Sequence, residues 1–350
     1  MRFNIYFLVL FLIGCFLVSC HNNASENIPV CNSDSYRVNY FKDSNSAVLS
    51  GGVRLIPIQT KSGVFNVWTK KFGNNPRIKI LLLHGGPATG HEYMECFESF
   101  FPKEGFEFYE YDQLGSSYSD QPNDTSLWNL DRFVEEVEQV RKAIHADQNN
   151  FYVLGNSWGG LLGMQYALKY QQNMKGLIIA NMMASCLDYG KYANDVLSKQ
   201  MKPEVLKEIR AIEKKKDYAN PRYMELLMPN FYKVHLCRLN EWPDALNRSF
   251  KHMNSTIYTQ MQGPSEFGVG GSLAKWDITN RLKEITVPTL MVGAKFDTMD
   301  PDAMEKQSKA VQHGEYLFCP NGSHLCMWDD QQVFMKGVIQ FIKKVDQNQL

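Results

Sequence analysis

A single G-x-S-x-G motif, GNSWG at residues 155–159, constrains the fold of this chain more than any other feature of its sequence. It directly follows a short apolar run, FYVL at residues 151–154, and precedes a helical pattern. A nucleophile elbow requires this strand–turn–helix setting, because the serine sits on a sharp turn and the flanking glycines let the strand and the helix approach closely. We therefore predict Ser157 to be a nucleophile. Such short matches also arise by chance in glycine-rich turns, so the hypothesis depends on partners elsewhere in the chain.

The chain on both sides of this motif alternates short β-rich runs with longer helical stretches. This alternation predicts an α/β fold with a mostly parallel sheet covered by helices. A helix over residues 133–144 would lie on the sheet with its apolar face, with Glu136 and Glu138 on the opposite face. The predicted strands are residues 77–83, 107–111, 151–154, 176–180, 289–292 and 315–319.

The middle of the chain differs from the rest in composition and in its predicted secondary structure. Residues 185–282 are rich in Met, Tyr, Asn and Lys and show helical segments with little strand signal. They separate two stretches of strand–helix alternation. We therefore predict a helical cap over residues 185–282, inserted between core segments at residues 51–184 and 283–350.

The first fifty residues are predicted to lie outside the fold. An apolar run at residues 5–18 has the length of a secretory signal and is too short to span a bilayer comfortably. It ends in LVSC, which resembles the lipobox of bacterial lipoproteins, so we predict a signal peptide over residues 1–20 and lipidation of Cys20. An ordinary cleaved signal with an incidental cysteine is the alternative. Residues 21–50 are polar and suit a tether, and the chain is expected to be exported and anchored in a bacterial cell envelope, facing either the periplasm or the outside.

The charge balance argues against nucleic acid as a partner. The chain contains 37 Lys and Arg against 37 Asp and Glu, a formal net charge of +0 at pH 7. It therefore lacks the broad basic field that phosphate binding needs. With 44% hydrophobic residues the chain can bury a large core, and a compact small-molecule or peptide site fits it better.

The cysteines form no recognisable framework. Six lie beyond the predicted signal peptide, and none belongs to a CxxC or CxxH pair. We therefore expect no disulfide framework and no zinc cluster. No other metal and no cofactor is predicted. Most of these cysteines are expected to be small buried residues, while the predicted export leaves a bridge between Cys319 and Cys326 open.

Two downstream loops can supply the base and the carboxylate that an activated serine needs. The strand at residues 289–292 leads into AKFD, which places Asp297 at the strand's carboxyl end, where loops face the site in such sheets. The strand at residues 315–319 is followed by PNGSH, which places His324 on a similar loop. The order Ser157, Asp297, His324 is that of the Ser-Asp-His hydrolases built on such a sheet.

Asp300 and Asp302 are rival carboxylates for Asp297. Both stand next to Pro301, and proline is favoured in the first turn of a helix. We therefore predict that a helix begins there and that these two aspartates act as helix caps.

The glycine turn HGGP at residues 84–87 is the candidate source of donors for a tetrahedral oxyanion. We assign the oxyanion hole to the N–H groups of Gly86 and Trp158, the latter being the residue after the nucleophile. His84 is then a structural histidine. By itself, the glycine turn would indicate only a tight loop.

Taken together, the motifs resemble those of the proline iminopeptidases of the α/β-hydrolase fold. The resemblance is carried by HGGP at residues 84–87, YDQLGS at 111–116, GNSWGG at 155–160 and the pair Asp297 and His324. It extends from about Val53 to the carboxyl terminus. It implies release of an amino-terminal residue, preferentially proline, from peptides by serine acyl-enzyme hydrolysis without a metal.

The resemblance also implies carboxylates that bind the free amino terminus of a peptide substrate. GPSEF at residues 263–267 resembles one such segment of the family and points to Glu266. NPRYME at residues 220–225 is a looser match and points to Glu225. Without the family resemblance, a glutamate at either position would more often be a charged surface residue than a substrate ligand.

Two positions depart from the family pattern. Ala88 follows HGGP where the family usually has glycine, and Ser117 stands at the second common glycine of DQxGxG. The methyl group of Ala88 is expected to disfavour a positive φ beside the oxyanion loop. These departures therefore bear on the preference for proline and not on serine hydrolysis.

Two other functions remain open. An esterase or amidase could use the same residues on substrates that lack a free amine, and neutralising Glu225 and Glu266 would distinguish it. A catalytically silent ligand-binding lipoprotein is the other alternative, against which the intact set of catalytic residues argues. The expected partners are peptides with a free amino terminus and a membrane reached only through the lipid anchor; no oligomeric state is predicted.

Overall fold

The structure is a computed structural model that describes residues 51–350. The predicted signal peptide, the predicted tether and Cys20 lie outside the described residues. Within them, a single sheet has the strand order β1-β2-β4-β3-β5-β6-β7-β8. The strands are β1 (Val53–Thr60), β2 (Gly63–Phe72), β3 (Lys79–Leu83), β4 (Glu107–Tyr111), β5 (Phe151–Asn156), β6 (Gly176–Ala180), β7 (Thr289–Ala294) and β8 (Gly314–Cys319).

Pairing is antiparallel from β1 to β2 and from β2 to β4, and parallel across the rest of the sheet. The predicted α/β fold with a mostly parallel sheet is confirmed. All six predicted strands are present, with ends that differ by at most two residues. The β1–β2 hairpin was not predicted strand by strand; its signal is the alternation that buries Ile56, Ile58 and Val67 on one face.

The helices lie on both faces of the sheet and between β6 and β7. They are α1 (Leu130–Ala143), α2 (Trp158–Tyr170), α3 (Cys186–Asp195), α4 (Pro203–Lys215), α5 (Pro221–Leu227), α6 (Asp244–His252), α7 (Ser255–Met261), α8 (Pro301–Ser308), α9 (Cys326–Asp329) and α10 (Gln331–Asp346). Within residues 51–350, no helix combines the length and the apolar character needed to cross a bilayer.

Successive residues of β3 enter two separate cores, as the two-residue period of a strand requires. Leu81 and Leu83 pack with α1, α2 and α8 on one face. Ile80 and Leu82 pack on the other face with α10 and the 3₁₀ segment Glu92–Ser99. Both faces of the sheet are therefore covered, which explains why its central strands read as unbroken apolar runs.

The burial of two carboxylates on α1 was not predicted. The helical pattern places Glu136 and Glu138 on the solvent face, but both are buried. Glu136 accepts a 2.9 Å hydrogen bond from the N–H of Leu114, and Glu138 accepts a 2.8 Å bond from the hydroxyl of Tyr166. Because neighbouring elements supply these donors, the burial of both carboxylates is tolerated.

The chain between β6 and β7, called the cap below, contains helices α3 to α7 and a π-helical segment, Met228–Leu236. The β pairing described in this stretch is one isolated bridge between Ser185 and Asp277. The predicted cap boundaries at residues 185 and 282 stay predictions. Because the cap leaves and rejoins the sheet at the carboxyl end of β6 and before β7, its helices can cover the edge where the nucleophile lies.

The cysteines in the described part of the chain are buried free thiols: Cys96, Cys186, Cys237, Cys319 and Cys326. Cys319 and Cys326, whose pairing the sequence left open, are not bridged in this structure. Burial raises the pKa of the Cys326 thiol well above its usual range. This thiol therefore stays protonated and behaves as a small apolar side chain, in line with the prediction.

Candidate active site

Ser157 occupies the turn between β5 and α2, with φ 56° and ψ −124°. A Cβ on Gly155 would lie 2.0 Å from the carbonyl oxygen of Gly159, and a Cβ on Gly159 would lie 1.9 Å from that of Leu83. Both contacts are too close for any side chain, so the turn requires glycine at both positions. The predicted strand–turn–helix setting of the serine is confirmed.

His324 and Asp297 meet at the carboxyl ends of β7 and β8. Nδ1 of His324 lies 2.8 Å from Oδ1 of Asp297, and both side chains are buried. The N–H of Met299 donates a 3.1 Å hydrogen bond to the same carboxylate oxygen. The carboxylate therefore holds the imidazole by one nitrogen and leaves the other, Nε2, to face a substrate.

Nε2 of His324 has no hydrogen-bond partner among residues 51–350. His324 and Ser157 line the same cavity. Burial lowers the pKa of His324, but the charge of Asp297 and the hydrogen bond that the imidazole donates to it outweigh burial and raise the pKa above its usual 6.5. The imidazole is thus a stronger base than in water and is placed to accept a proton at Nε2.

Two residues that the sequence reasoning missed complete this hydrogen-bond network. Nδ2 of Asn181 donates a 2.6 Å bond to Oδ2 of Asp297. The hydroxyl of Thr298 lies 2.9 Å from Nδ1 of His324. Asn181 directly follows β6, and a polar residue at the carboxyl end of a buried strand is the signal that could have found it.

The candidate oxyanion hole lies beside the serine. Gly86 lines the cavity with φ 108°, and a Cβ on it would lie 2.9 Å from the backbone nitrogens of Ala88 and Thr89. Trp158 is the first residue of α2, where backbone N–H groups have no acceptor within the helix. Gly86 and Trp158 therefore flank the serine with backbone positions suited to donating to an oxyanion.

A hydrogen-bond chain joins the three motif loops. Nε2 of His84 accepts a 3.1 Å bond from the N–H of Gln113, and Nε1 of Trp158 donates a 2.8 Å bond to Oε1 of Gln113. Burial lowers the pKa of His84 to about 4, so the ring is neutral at pH 7. His84 links the loops and is placed as a structural residue rather than a base.

The two residues that depart from the family pattern, Ala88 and Ser117, have a left-handed backbone conformation. Ala88 has φ 68° and Ser117 has φ 38°. Ala88 adopts a positive φ although its methyl group disfavours it by roughly 1 kcal/mol, because the surrounding loop holds this conformation. The loop shape is therefore available without glycine at these positions.

A cavity of about 240 Å³ connects these groups with the cap. The core contributes Ser157, His324 and Gly86 to its wall. The cap contributes apolar and aromatic side chains together with one carboxylate: Tyr218, Met224, Tyr232, Leu246, Phe250, Met253, Tyr258 and Glu266. A small apolar group beside a positive charge is the ligand that this lining suits.

Glu266 is the carboxylate in this wall and is 8% exposed. The hydroxyl of Tyr258 donates a 2.5 Å hydrogen bond to it, and its own N–H donates a 3.2 Å bond to the hydroxyl of Tyr232. Burial raises the pKa of Glu266, although the nearby His324 and the tyrosine hydrogen bonds act in the opposite direction. A cation in the cavity would remove the cost of burying this charge.

Glu225 does not reach the cavity. Its side chain is 62% exposed and pairs with Arg222 at 3.4 Å on the outer side of α5. The preceding residue, Met224, lines the cavity instead. The structure therefore brings Glu266 to the serine but not Glu225, because adjacent residues of a helix point in different directions.

Asp300 and Asp302, the alternative carboxylates to Asp297, lie at the start of α8 as predicted. Asp300 caps α8, with its carboxylate accepting a 3.0 Å hydrogen bond from the N–H of Asp302. Pro301 is the first residue of that helix. The predicted capping role of Asp300 is confirmed, whereas Asp302 lies in the first turn of the helix and is not a cap.

Comparison with known proteins gives a consistent result. Residues 79–331 match the family model of the alpha/beta hydrolase fold. Proline iminopeptidases of Flavobacterium johnsoniae and Elizabethkingia meningoseptica are each 75% identical to the chain, over 292 and 294 residues that cover 83% of it and 98% of each relative. The solved structure of a proline iminopeptidase from Mycobacterium smegmatis superimposes with a TM-score of 0.76 at 26% identity, covering 85% of this chain and 100% of that one.

Proposed function

The chain belongs to the proline iminopeptidases of the α/β-hydrolase fold, and on this basis we propose that it is a serine aminopeptidase that releases amino-terminal proline from peptides. One observation carries the proposal: the buried carboxylate of Glu266 shares a cavity of about 240 Å³ with Ser157 and His324. A peptidase that requires a free amino terminus needs a negative charge near its nucleophile. An esterase has no such need.

In the proposed reaction, Oγ of Ser157 attacks the carbonyl carbon of the first residue while Nε2 of His324 takes the hydroxyl proton. Asp297 keeps the imidazole in the tautomer that accepts at Nε2. The N–H groups of Gly86 and Trp158 stabilise the oxyanion. His324 then gives its proton to the departing amine, which breaks the peptide bond, and water hydrolyses the acyl-enzyme through the same histidine.

The substrate's ammonium group is proposed to pair with Glu266. Burial makes this carboxylate costly to ionise without a partner, and the ammonium supplies one. The proline ring then packs against the aromatic lining that Tyr232 and Phe250 contribute. Both contacts select for a small apolar residue that carries a free amine.

The decisive test is hydrolysis of a short substrate panel: Pro, Ala and Leu aryl amides, their amino-acetylated forms and a simple acyl ester. We expect cleavage of the free-amine amides with proline preferred, and none of the acetylated ones. Ser157→Ala should abolish turnover while leaving the melting temperature unchanged. Equal cleavage of acetylated amides or of the ester would indicate an esterase or amidase, and no cleavage of any substrate would favour a silent binding protein.

A matched pair of variants isolates the proposed role of Glu266. Glu266→Gln keeps the shape of the side chain and removes its charge, so KM for a proline amide should rise about 10- to 100-fold. Glu225→Gln makes the same change at the exposed end of an ion pair and should leave KM within twofold. Equal effects of the two substitutions would contradict the assignment.

We also propose that the chain is exported and lipidated at Cys20. The support is the LVSC sequence at residues 17–20, which directly ends an apolar run. Mass spectrometry of the mature protein should find a lipidated Cys20 at its amino terminus. Cys20→Ala should release the protein from the membrane fraction and Cys15→Ala should not; an unmodified Cys20 in the mature chain would exclude the anchor.

A further inference from the structure

Ser249 carries an unpartnered hydroxyl in the wall of the substrate cavity. It lies on α6, is 0% exposed, and its Oγ has no hydrogen-bond partner among residues 51–350. A buried hydroxyl without a partner costs about 1–3 kcal/mol. Serines within helices often avoid this cost by bonding the carbonyl four residues earlier, but this hydroxyl makes no such bond.

The part of α6 that faces the cavity is otherwise apolar. Leu246 and Phe250 line the cavity on either side of Ser249. The helix packs on the 3₁₀ segment Glu92–Ser99, which follows the glycine turn beside the nucleophile. The hydroxyl is therefore an isolated polar point on the apolar wall of the cavity that holds Ser157.

The chemistry of a peptide substrate indicates which group this hydroxyl meets. In the proposed function the ammonium of the first residue pairs with Glu266, and its carbonyl oxygen faces Gly86 and Trp158. Apart from that ammonium nitrogen, the proline ring is hydrocarbon. The scissile nitrogen of the second residue takes the proton of His324 as the leaving amine. Beyond it, the next polar groups of a peptide are the backbone carbonyl of the second residue and the amide that follows, and a hydroxyl can bond either.

We propose that Ser249 is a specificity-determining residue that hydrogen-bonds the backbone of the second residue, so that the enzyme favours true peptides over amides lacking this group. The inference rests on the proposed function, which it deepens by defining the substrate class. No Lys or Arg lines this cavity in the described part of the chain, which suits recognition of a neutral group. The hydroxyl that costs stability in the free protein gains its partner when the peptide binds.

The test compares Ser249→Ala on two substrates, Pro-Ala-amide and the aryl amide of proline. The peptide offers a second-residue carbonyl and the aryl amide does not. KM for the peptide should rise about 3- to 10-fold with kcat unchanged, because a neutral hydrogen bond made equally in the ground state and transition state is lost. Both constants for the aryl amide should change less than twofold.

Two further variants separate hydrogen bonding from packing. Ser249→Cys keeps nearly the same volume but bonds weakly, so it should behave like Ser249→Ala toward the peptide. Ser272→Ala makes the same exchange at an exposed position of the cap outside the cavity and should have no effect on either substrate. Ser249→Ala should also melt no lower than the parent protein, because it removes an unpartnered buried hydroxyl.

Equal losses on both substrates, or no loss on the peptide, would overturn the proposal. A lower melting temperature of Ser249→Ala together with full peptide activity of Ser249→Cys would also overturn it, because the side chain would then act by packing. Failure of the parent protein to cleave either substrate would instead contradict the proposed function, and this inference would fall with it.

Discussion

Asp297 is held through both of its carboxylate oxygens, and this double attachment fixes the imidazole that it orients. Oδ1 receives His324 and the N–H of Met299, and Oδ2 receives the side-chain amide of Asn181 at 2.6 Å. Asn181 has φ 56°, a conformation that asparagine adopts more readily than most residues. We infer that Asn181 acts as a positioning residue through Asp297.

Removing this amide should reduce catalysis without unfolding the protein. For Asn181→Leu we expect kcat for a proline amide to fall about tenfold, which corresponds to a loss of about 1.4 kcal/mol of transition-state stabilisation. KM should stay within twofold, because the substrate does not touch Asn181. Asn194→Leu, on the exposed side of α3, is the matched control, and an unchanged kcat in Asn181→Leu would remove the positioning role.

The raised pKa of His324 sets the pH dependence of the reaction. Burial lowers this pKa, but the charge and hydrogen bond of Asp297 raise it above 6.5. Because only the neutral imidazole can accept the serine proton, kcat/KM should fall as the pH is lowered through a value above 6.5. A pH–rate profile measures this limb directly, and an apparent pKa below 6.5 would contradict the assignment. Glu266, whose pKa is also raised, should affect kcat/KM more than kcat, since bound ammonium keeps it charged.

At the scale of elements, the turn from β5 to α2 depends on the approach of three backbones. Gly159 lies so close to β3 that an added Cβ would be 1.9 Å from the carbonyl oxygen of Leu83. Gly159→Ala should therefore lower the free energy of unfolding by about 3 kcal/mol, because the strand or the helix must shift. Urea denaturation measures this change.

Gly190 on α3 is the control for that substitution. A Cβ there would meet nothing within 4 Å, and its φ is ordinary for a helix. Gly190→Ala should therefore raise stability by about 0.5–1 kcal/mol through helix propensity alone. A similar gain of stability in both variants would mean that helix propensity outweighs the strand–helix approach at Gly159 and would contradict the prediction.

Strands that are buried on both faces were predictable from the sequence. Side chains whose positions depend on hydrogen bonds to distant elements were not. Strands such as β3 and β5 are buried on both faces, so their apolar runs are visible without knowledge of the fold. Glu225 illustrates the opposite case, since a one-residue difference in helical phase places Met224 in the cavity and the glutamate outside. Asn181 and the buried Glu136 owe their places to donors or acceptors from distant elements, which no local pattern records.

At the scale of the whole molecule, cap and core are joined by ion pairs as well as apolar contacts. Arg248 on α6 pairs with Glu95 at 2.7 Å and with Glu92 at 3.2 Å, both in the 3₁₀ segment of the core. His252, at the end of α6, lies 2.7 Å from the same Glu92 oxygen. These contacts hold α6, which carries Ser249, against the 3₁₀ segment that follows the glycine turn at residues 84–87, so the cavity is shaped by both parts of the chain.

Near this junction, Glu110 on β4 is fully buried, and neither of its carboxylate oxygens has a hydrogen-bond partner among residues 51–350. Burial raises its pKa from 4.5 to about 8, with smaller opposing effects from His91 and Lys70. The folded protein therefore keeps this proton at pH values where the unfolded chain has lost it. Between pH 4.5 and about 8 this group binds more protons in the folded state, so the contribution of Glu110 to stability falls as the pH rises through this window.

Glu110→Gln tests this source of pH dependence because glutamine has the same shape and no charge to bury. At pH 5 the two proteins should have similar stability, whereas at pH 9 the variant should be more stable by up to about 5 kcal/mol. Glu135→Gln, a half-exposed carboxylate paired with Lys169, is the matched control and should shift stability little at either pH. Urea denaturation at both pH values measures the difference. An equal gain at pH 5 and pH 9 would show that Glu110 acts through packing, because only the ionised form of the parent residue is penalised at high pH.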